Sequence, residues 1–117
     1  MARVTLSVTD IDRILSAAPA LYTATGSDGF KFDNASGNVF LEVISSTTGQ
    51  SFTVLTGLVI DNEWTVSDDL VNVSNASTTY FVGSYPQNIY NQPDDLNQVY
   101  VDHAVGAVLQ FRAWRLT

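Results

Sequence analysis

The side chains able to do chemistry in this chain are few and scattered. Hydrolysis by a serine or threonine needs a neighbouring base, and the single histidine, His103, follows Asp102 in a stretch that reads as a turn. It is expected at the surface, without a nucleophile. Cysteine is absent, which removes thiolate chemistry and disulfides together. A structural zinc site would need three or four His or Cys ligands. Carboxylates gather at three turn regions: Asp28 and Asp33 with Asn34, Asp68-Asp69, and Asp94-Asp95. Loop oxygens of this kind can hold Ca²⁺, but no spacing matches the regular Ca²⁺ loop, and Asp in turns caps the backbone by itself. Glu42 is the acid placed mid-strand, and a glycosidase needs two converging carboxyl groups. The expectation is a protein that is not an enzyme and carries no metal or cofactor. Aromatic residues are the remaining tools. Most of them belong in a core, and Trp64, Tyr85 and Tyr90 are the ones expected at the surface, available for binding.

The elements that would position these residues are strands. Val39 to Ile44 alternates, with Val39, Leu41 and Val43 on one face and Phe40, Glu42 and Ile44 on the other. Phe30-Lys-Phe32, Ser51-Phe-Thr-Val-Leu55, Glu63-Trp-Thr-Val66, Leu70-Val-Asn-Val73, Thr79 to Ser84, Gln98 to Asp102 and Ala107 to Trp114 read likewise, separated by Gly, Asn, Asp and Pro turns. In the last of these, Leu109, Phe111 and Ala113 are expected in the core, with Gln110 and Arg112 outside. Some eight short strands at this spacing predict an all-β chain, a jelly-roll-like antiparallel β-sandwich. The sandwich is expected over 26–117. Residues 1–25 are expected as an arm: a short strand over Val4-Thr-Leu-Ser-Val8, then a helical turn capped at Thr9 and stopped by Pro19.

Bulk properties narrow the partners. The 117 residues suit one domain. The net charge is −7, with 12 acidic against 5 basic residues, and a field of that sign repels phosphate backbones and anionic membranes. Nucleic acid and membrane are therefore excluded as partners. No apolar run is long enough to span a bilayer as a helix, and no signal-like stretch opens the chain, so synthesis in a cytoplasm is expected.

Several segments together resemble the small head decoration (cement) proteins of tailed bacteriophages. They are Asp28-Gly-Phe-Lys-Phe-Asp-Asn34, the strand Asn38-Val-Phe-Leu-Glu-Val-Ile44, the Gly83-Ser-Tyr-Pro86 turn with Tyr90-Asn91, Val99-Tyr-Val-Asp102, and Ala113-Trp-Arg-Leu116. The resemblance spans Asp28 to Leu116, about three-quarters of the chain. The Trp64 region departs from it, and residues 1–25 lie outside it. It implies a sandwich made in the bacterial host cytoplasm that binds the outside of an expanded icosahedral head as a homotrimer. There it would hold neighbouring copies of the major capsid protein together on the virion. Arg3, Val4, Leu6, Ile11, Arg13, Ile14 and Leu15 are expected to contact the capsid or a neighbouring protomer, and the Phe40/Ile44 face is one candidate for trimerisation. The main rival is a carbohydrate- or receptor-binding sandwich of a phage fibre or baseplate; a head-completion or tail-tube part is a second.

Overall fold

The computed structural model describes residues 3–11, 21–24, 29–45, 50–57, 59–60, 64–65, 68–73, 78–93, 95–103 and 109–115. In chain order they form β1 (Val4–Thr5), β2 (Val8–Asp10), β3 (Tyr22–Thr23), β4 (Phe30–Asp33), β5 (Val39–Ser45), β6 (Gln50–Val54), β7 (Val59–Ile60) and β8 (Trp64–Thr65). Then come β9 (Asp69–Val73), β10 (Thr78–Gly83), the one-turn helix α1 (Gln87–Tyr90), β11 (Gln98–His103) and β12 (Leu109–Arg115). The chain is an all-β sandwich. One sheet runs β1-β4-β11-β6-β9; the other runs β10-β5-β12-β2, with β3 also on β12, and β7 pairs with β8 separately.

Alternation decides which side chains the two sheets share. Along β5, Val39, Leu41, Val43 and Ser45 are buried while Phe40, Glu42 and Ile44 are half-buried on the outer side. Along β12, Leu109, Phe111 and Ala113 point inward as their spacing predicts. Phe30, Phe32, Phe52 and Phe111 fill the middle with Val54, Val99 and Val101, all essentially without solvent contact. Phe111 lies at the hub: its ring centroid is 4.7 Å from Phe30, 5.2 Å edge-on from Phe52 and 6.2 Å from Tyr22.

The structure corrects three expectations. The sheets are mixed, not purely antiparallel, because β1 runs parallel to β4 and β2 parallel to β12. The stretch expected as one strand of an arm is two strands in opposite sheets. Between them the chain crosses the open side of the sandwich, and Leu6, 3% exposed, plugs the gap with its amide donating to the Lys31 carbonyl at 2.8 Å. Thr9, expected to cap a helix, is a strand residue paired with Trp114, as Asp10 after it is with Arg115; residues 12–20, which hold the rest of that helical turn, lie outside the described residues. Apolar alternation over five residues is the same for one strand as for two short ones, so sequence alone could not separate them.

Candidate docking face

The outer sides of the two sheets differ in chemistry, and the difference follows from strand parity. On the β1-β4-β11-β6-β9 sheet the outward positions include Lys31, Tyr100, Asp102, Ser51, Thr53 and Asn72. Leu70, opposite Thr53 on this side, is 63% exposed, while Lys31 and Arg3 are paired with carboxylates. Lys31 Nζ donates to Asp95 Oδ2 at 2.8 Å, and Tyr100 Oη donates to the same oxygen at 2.8 Å. Those two donors, Lys31 first, hold the Asp95 carboxyl below its ordinary range. Arg3 pairs with Asp102 at 2.5 Å, donates to the Val101 carbonyl at 3.0 Å and covers the Tyr100 ring at 4.4 Å.

The other sheet turns outward Thr79 and Phe81 from β10, Phe40, Glu42 and Ile44 from β5, and Gln110, Arg112 and Trp114 from β12. Phe81 is 64% exposed. Its ring stands 5.9 Å from Phe40, tilted by 59°. Trp114 is the direct cross-strand neighbour of Phe40, and Ile44 lies between Thr79 and Gln110. Glu42 sits among them, yet both of its oxygens are engaged: Trp114 Nε1 donates to Oε1 at 2.9 Å and Arg112 Nη1 to Oε2 at 3.1 Å. Phe40, Ile44, Phe81 and Trp114 make up half of these eight outward side chains, and the two charges among them, Glu42 and Arg112, are paired. Exposed aromatic surface of this kind gains free energy when something covers it.

The residues expected to bind are distributed differently. Arg3 is engaged within its own sheet, and Leu6 is core. Val4 and Ile11 remain exposed, at 49% and 38%. Arg13, Ile14 and Leu15 lie outside the described residues. Trp64 is paired through its backbone with Ile60 in the β7–β8 ribbon, and its side chain lies outside what the structure describes. Tyr85 is corrected: at 4% exposure it is core, 5.9 Å from the Phe32 ring and 5.1 Å from Tyr90. Burial pushes its hydroxyl above the ordinary tyrosine range. Tyr90 packs half-buried beside it and donates to the Asp69 carboxylate, a bond that raises the Tyr90 hydroxyl to about 12. Both rings thus secure the 85–91 segment to the end of the sandwich. Asn34 completes that anchor: fully buried, its Nδ2 donates to the Tyr85 carbonyl at 2.8 Å and to Asn91 Oδ1 at 2.9 Å.

These tyrosines have a consequence in base. The unfolded chain gives up their protons near pH 10, whereas the folded chain holds the Tyr90 proton to about 12. The stabilisation is complete below pH 10 and is lost as pH rises from there toward 12. Melting temperature followed against pH, beside tyrosinate absorbance, is expected to fall across that window, and more shallowly in Tyr90→Phe.

The chemistry-bearing residues resolve into local roles. Asp33 Oδ1 accepts from the Ala35 amide at 3.0 Å, and Asp68 Oδ1 from the Thr56 amide at 2.8 Å, so both shape backbone. Among the described residues no three His, Cys, Asp or Glu side chains converge as metal ligands would. His103, expected at the surface, is half-buried at the end of β11, with Nε2 2.7 Å from the Tyr22 hydroxyl. Phe81 escaped sequence reading because Thr79-Tyr-Phe-Val gives three apolar residues in a row, and only pairing with β5 settles which one faces out. Comparison with family models, with curated proteins and with solved structures finds no match to the chain.

Proposed function

We propose that this chain is a decoration protein of a tailed-bacteriophage head, a structural part without catalytic activity. It is made in the bacterial host cytoplasm and binds the outside of the expanded capsid, three copies together, where it braces neighbouring subunits of the major capsid protein. The observation that carries the reading is the outer side of the β10-β5-β12 sheet, where Phe81 stands 64% exposed beside Phe40 and its cross-strand neighbour Trp114. A protein built to be part of an assembly needs such a face. Strand order adds support. Taken without β1, β2 and the β7–β8 ribbon, the sheets run β3-β12-β5-β10 and β4-β11-β6-β9, all neighbours antiparallel. A jelly roll of two four-stranded sheets, a fold common in virion parts, would have this order, which supports that reading of the fold. Three copies bound side by side would also multiply a weak single contact. The exposure of Val4 and Ile11 supports the N-terminal edge as the part of the chain that would reach the shell.

Sedimentation with purified expanded shells tests this. The full chain is expected to pellet with expanded shells, and Val4→Ser/Ile11→Ser to pellet less. A chain that stays in the supernatant at saturating shell overturns the proposal. Aromatic rings on a sheet face also suit stacking on sugars, which favours the receptor-binding module as the second reading. Tight binding on a glycan array, with no affinity for shells, would decide for it.

A further inference from the structure

We infer that the free edge of β10 is where an extended segment of the shell subunit adds as a further strand. The shell as partner rests on the decoration reading; the edge is read from the sheets alone. Among the described residues no backbone group outside β5 bonds to β10, so the amides and carbonyls along its other side are unpaired. Unpaired strand edges are templates for pairing, and proteins blunt them by keeping them short or by placing charge or proline on them. The edge strands elsewhere in the described sheets are blunted in this way. β1 and β3 are two residues long, β2 is three and ends in Asp10, and β9 opens on Asp69. β10 has no such guard. Its six residues, Thr-Thr-Tyr-Phe-Val-Gly, carry neither charge nor proline, and apart from the closing Gly83 all are strong strand formers.

Burial shows the same edge to be unfinished. Tyr80 and Val82 point inward beside Val43 and Leu41 of β5, which have no solvent contact. Yet Tyr80 and Val82 are only half-buried, and Thr79, Phe81 and Gly83 are exposed. An added strand would cover both sides at once, with alternate side chains over Val82 and over Phe81. The unpaired main chain also selects the occupant. A row of alternating donors and acceptors is matched by an extended chain, whereas a sugar or a rigid apolar patch would leave it unpaired. A second copy could bring its own β10, but two such edges pair about a two-fold axis and are then both used up. A unit of three copies would need β10 to meet a different edge, and those are the guarded ones. Bracing, moreover, requires two holds on the shell. β10 and β2 lie at opposite ends of the order β10-β5-β12-β2, with exposed Ile11 just beyond β2. A strand added at β10 and a contact at the N-terminal edge would therefore grip from opposite sides of one sheet.

Hydrogen exchange of the full chain, free and bound to purified expanded shells, tests this. In the free chain the amides of Thr78–Gly83 that β5 leaves unpaired are expected to exchange freely. On shells they should slow by about a hundredfold or more. Phe81→Lys, which guards the edge with a charge, should weaken sedimentation with shells about tenfold or more. Because Phe81 is 64% exposed, its melting temperature should not change. Leu70→Lys is the matched control: Leu70 is 63% exposed on β9, and shell binding should be unchanged. A chain that binds shells while its β10 amides exchange as freely as before overturns this inference and leaves the decoration reading standing. A chain that binds no shells overturns both. Slowed β10 exchange without shells, with a solution mass that doubles alongside it, would give the edge to a second copy instead. Equal losses of shell binding in Phe81→Lys and Leu70→Lys would also overturn the assignment.

Discussion

Phe111→Ala is expected to remove about 3–5 kcal/mol of stability, the range for truncating a fully buried phenylalanine. The side chain has no solvent contact, and it is the ring on which Phe30, Phe52 and Tyr22 converge from three other strands. Its removal loses transfer energy and the paired-ring contacts together, and leaves a void that four strands would have to shift to fill. A domain of this size holds roughly 5–15 kcal/mol in all, so the variant should survive only near its threshold. Thermal unfolding should show the midpoint falling by roughly 10–20 °C. A fall of only a few degrees would mean that the two sheets close over the gap, and that Phe111 is not the hub its contacts describe.

The second large effect concerns one hydrogen atom. Gly29 has φ +69°, and a Cβ built there would lie 2.4 Å from the Val101 carbonyl oxygen. The left-handed backbone alone costs an L-residue about 1–2 kcal/mol. The collision falls on backbone of β11, which cannot turn aside as a side chain can, and overpacking of this kind adds about 1–3 kcal/mol. Gly29→Ala should therefore lose roughly 2–5 kcal/mol and loosen the β4–β11 pairing, visible as faster amide exchange at Phe30 and Val101. Gly37 supplies the contrast. It has a similar φ of +74°, but its nearest obstacle is the flexible Gln87 Cγ at 3.3 Å. Gly37→Ala should cost only the backbone share, about 1–2 kcal/mol. Equal losses at both positions would refute the role given to the Val101 carbonyl.

Much of this sandwich is legible in the sequence because the central strands bury one side only. In Val39 to Ile44 and Leu109 to Ala113 the inner and outer residues differ in kind, and the alternation reads directly. Legibility fails where burial comes from elsewhere. Tyr85 lies in a turn and is core because Phe32 and Tyr90 close around it. Leu6 belongs to a segment too short for periodicity to show that it crosses between sheets. His103 gains cover from Tyr22, about eighty residues away along the chain. On the outer side of the β10-β5-β12 sheet, Phe40 and Ile44 could be grouped from their own strand. Phe81 and Trp114 join them only through the register of β10 and β12 against β5, information held in no single segment.

That register also governs manufacture. β12 follows every other described strand along the chain, yet it is not at an edge: β5 lies on one side of it and β2 and β3 on the other. A ribosome that has not yet reached residue 115 has made all the surrounding strands and lacks the one between them. Until β12 arrives, Trp114 and Arg112 are missing from the face and Glu42 has neither of its partners. An incomplete chain therefore leaves β5 without a neighbour on one side and β2 and β3 without the strand they pair with, so this sheet closes last of all.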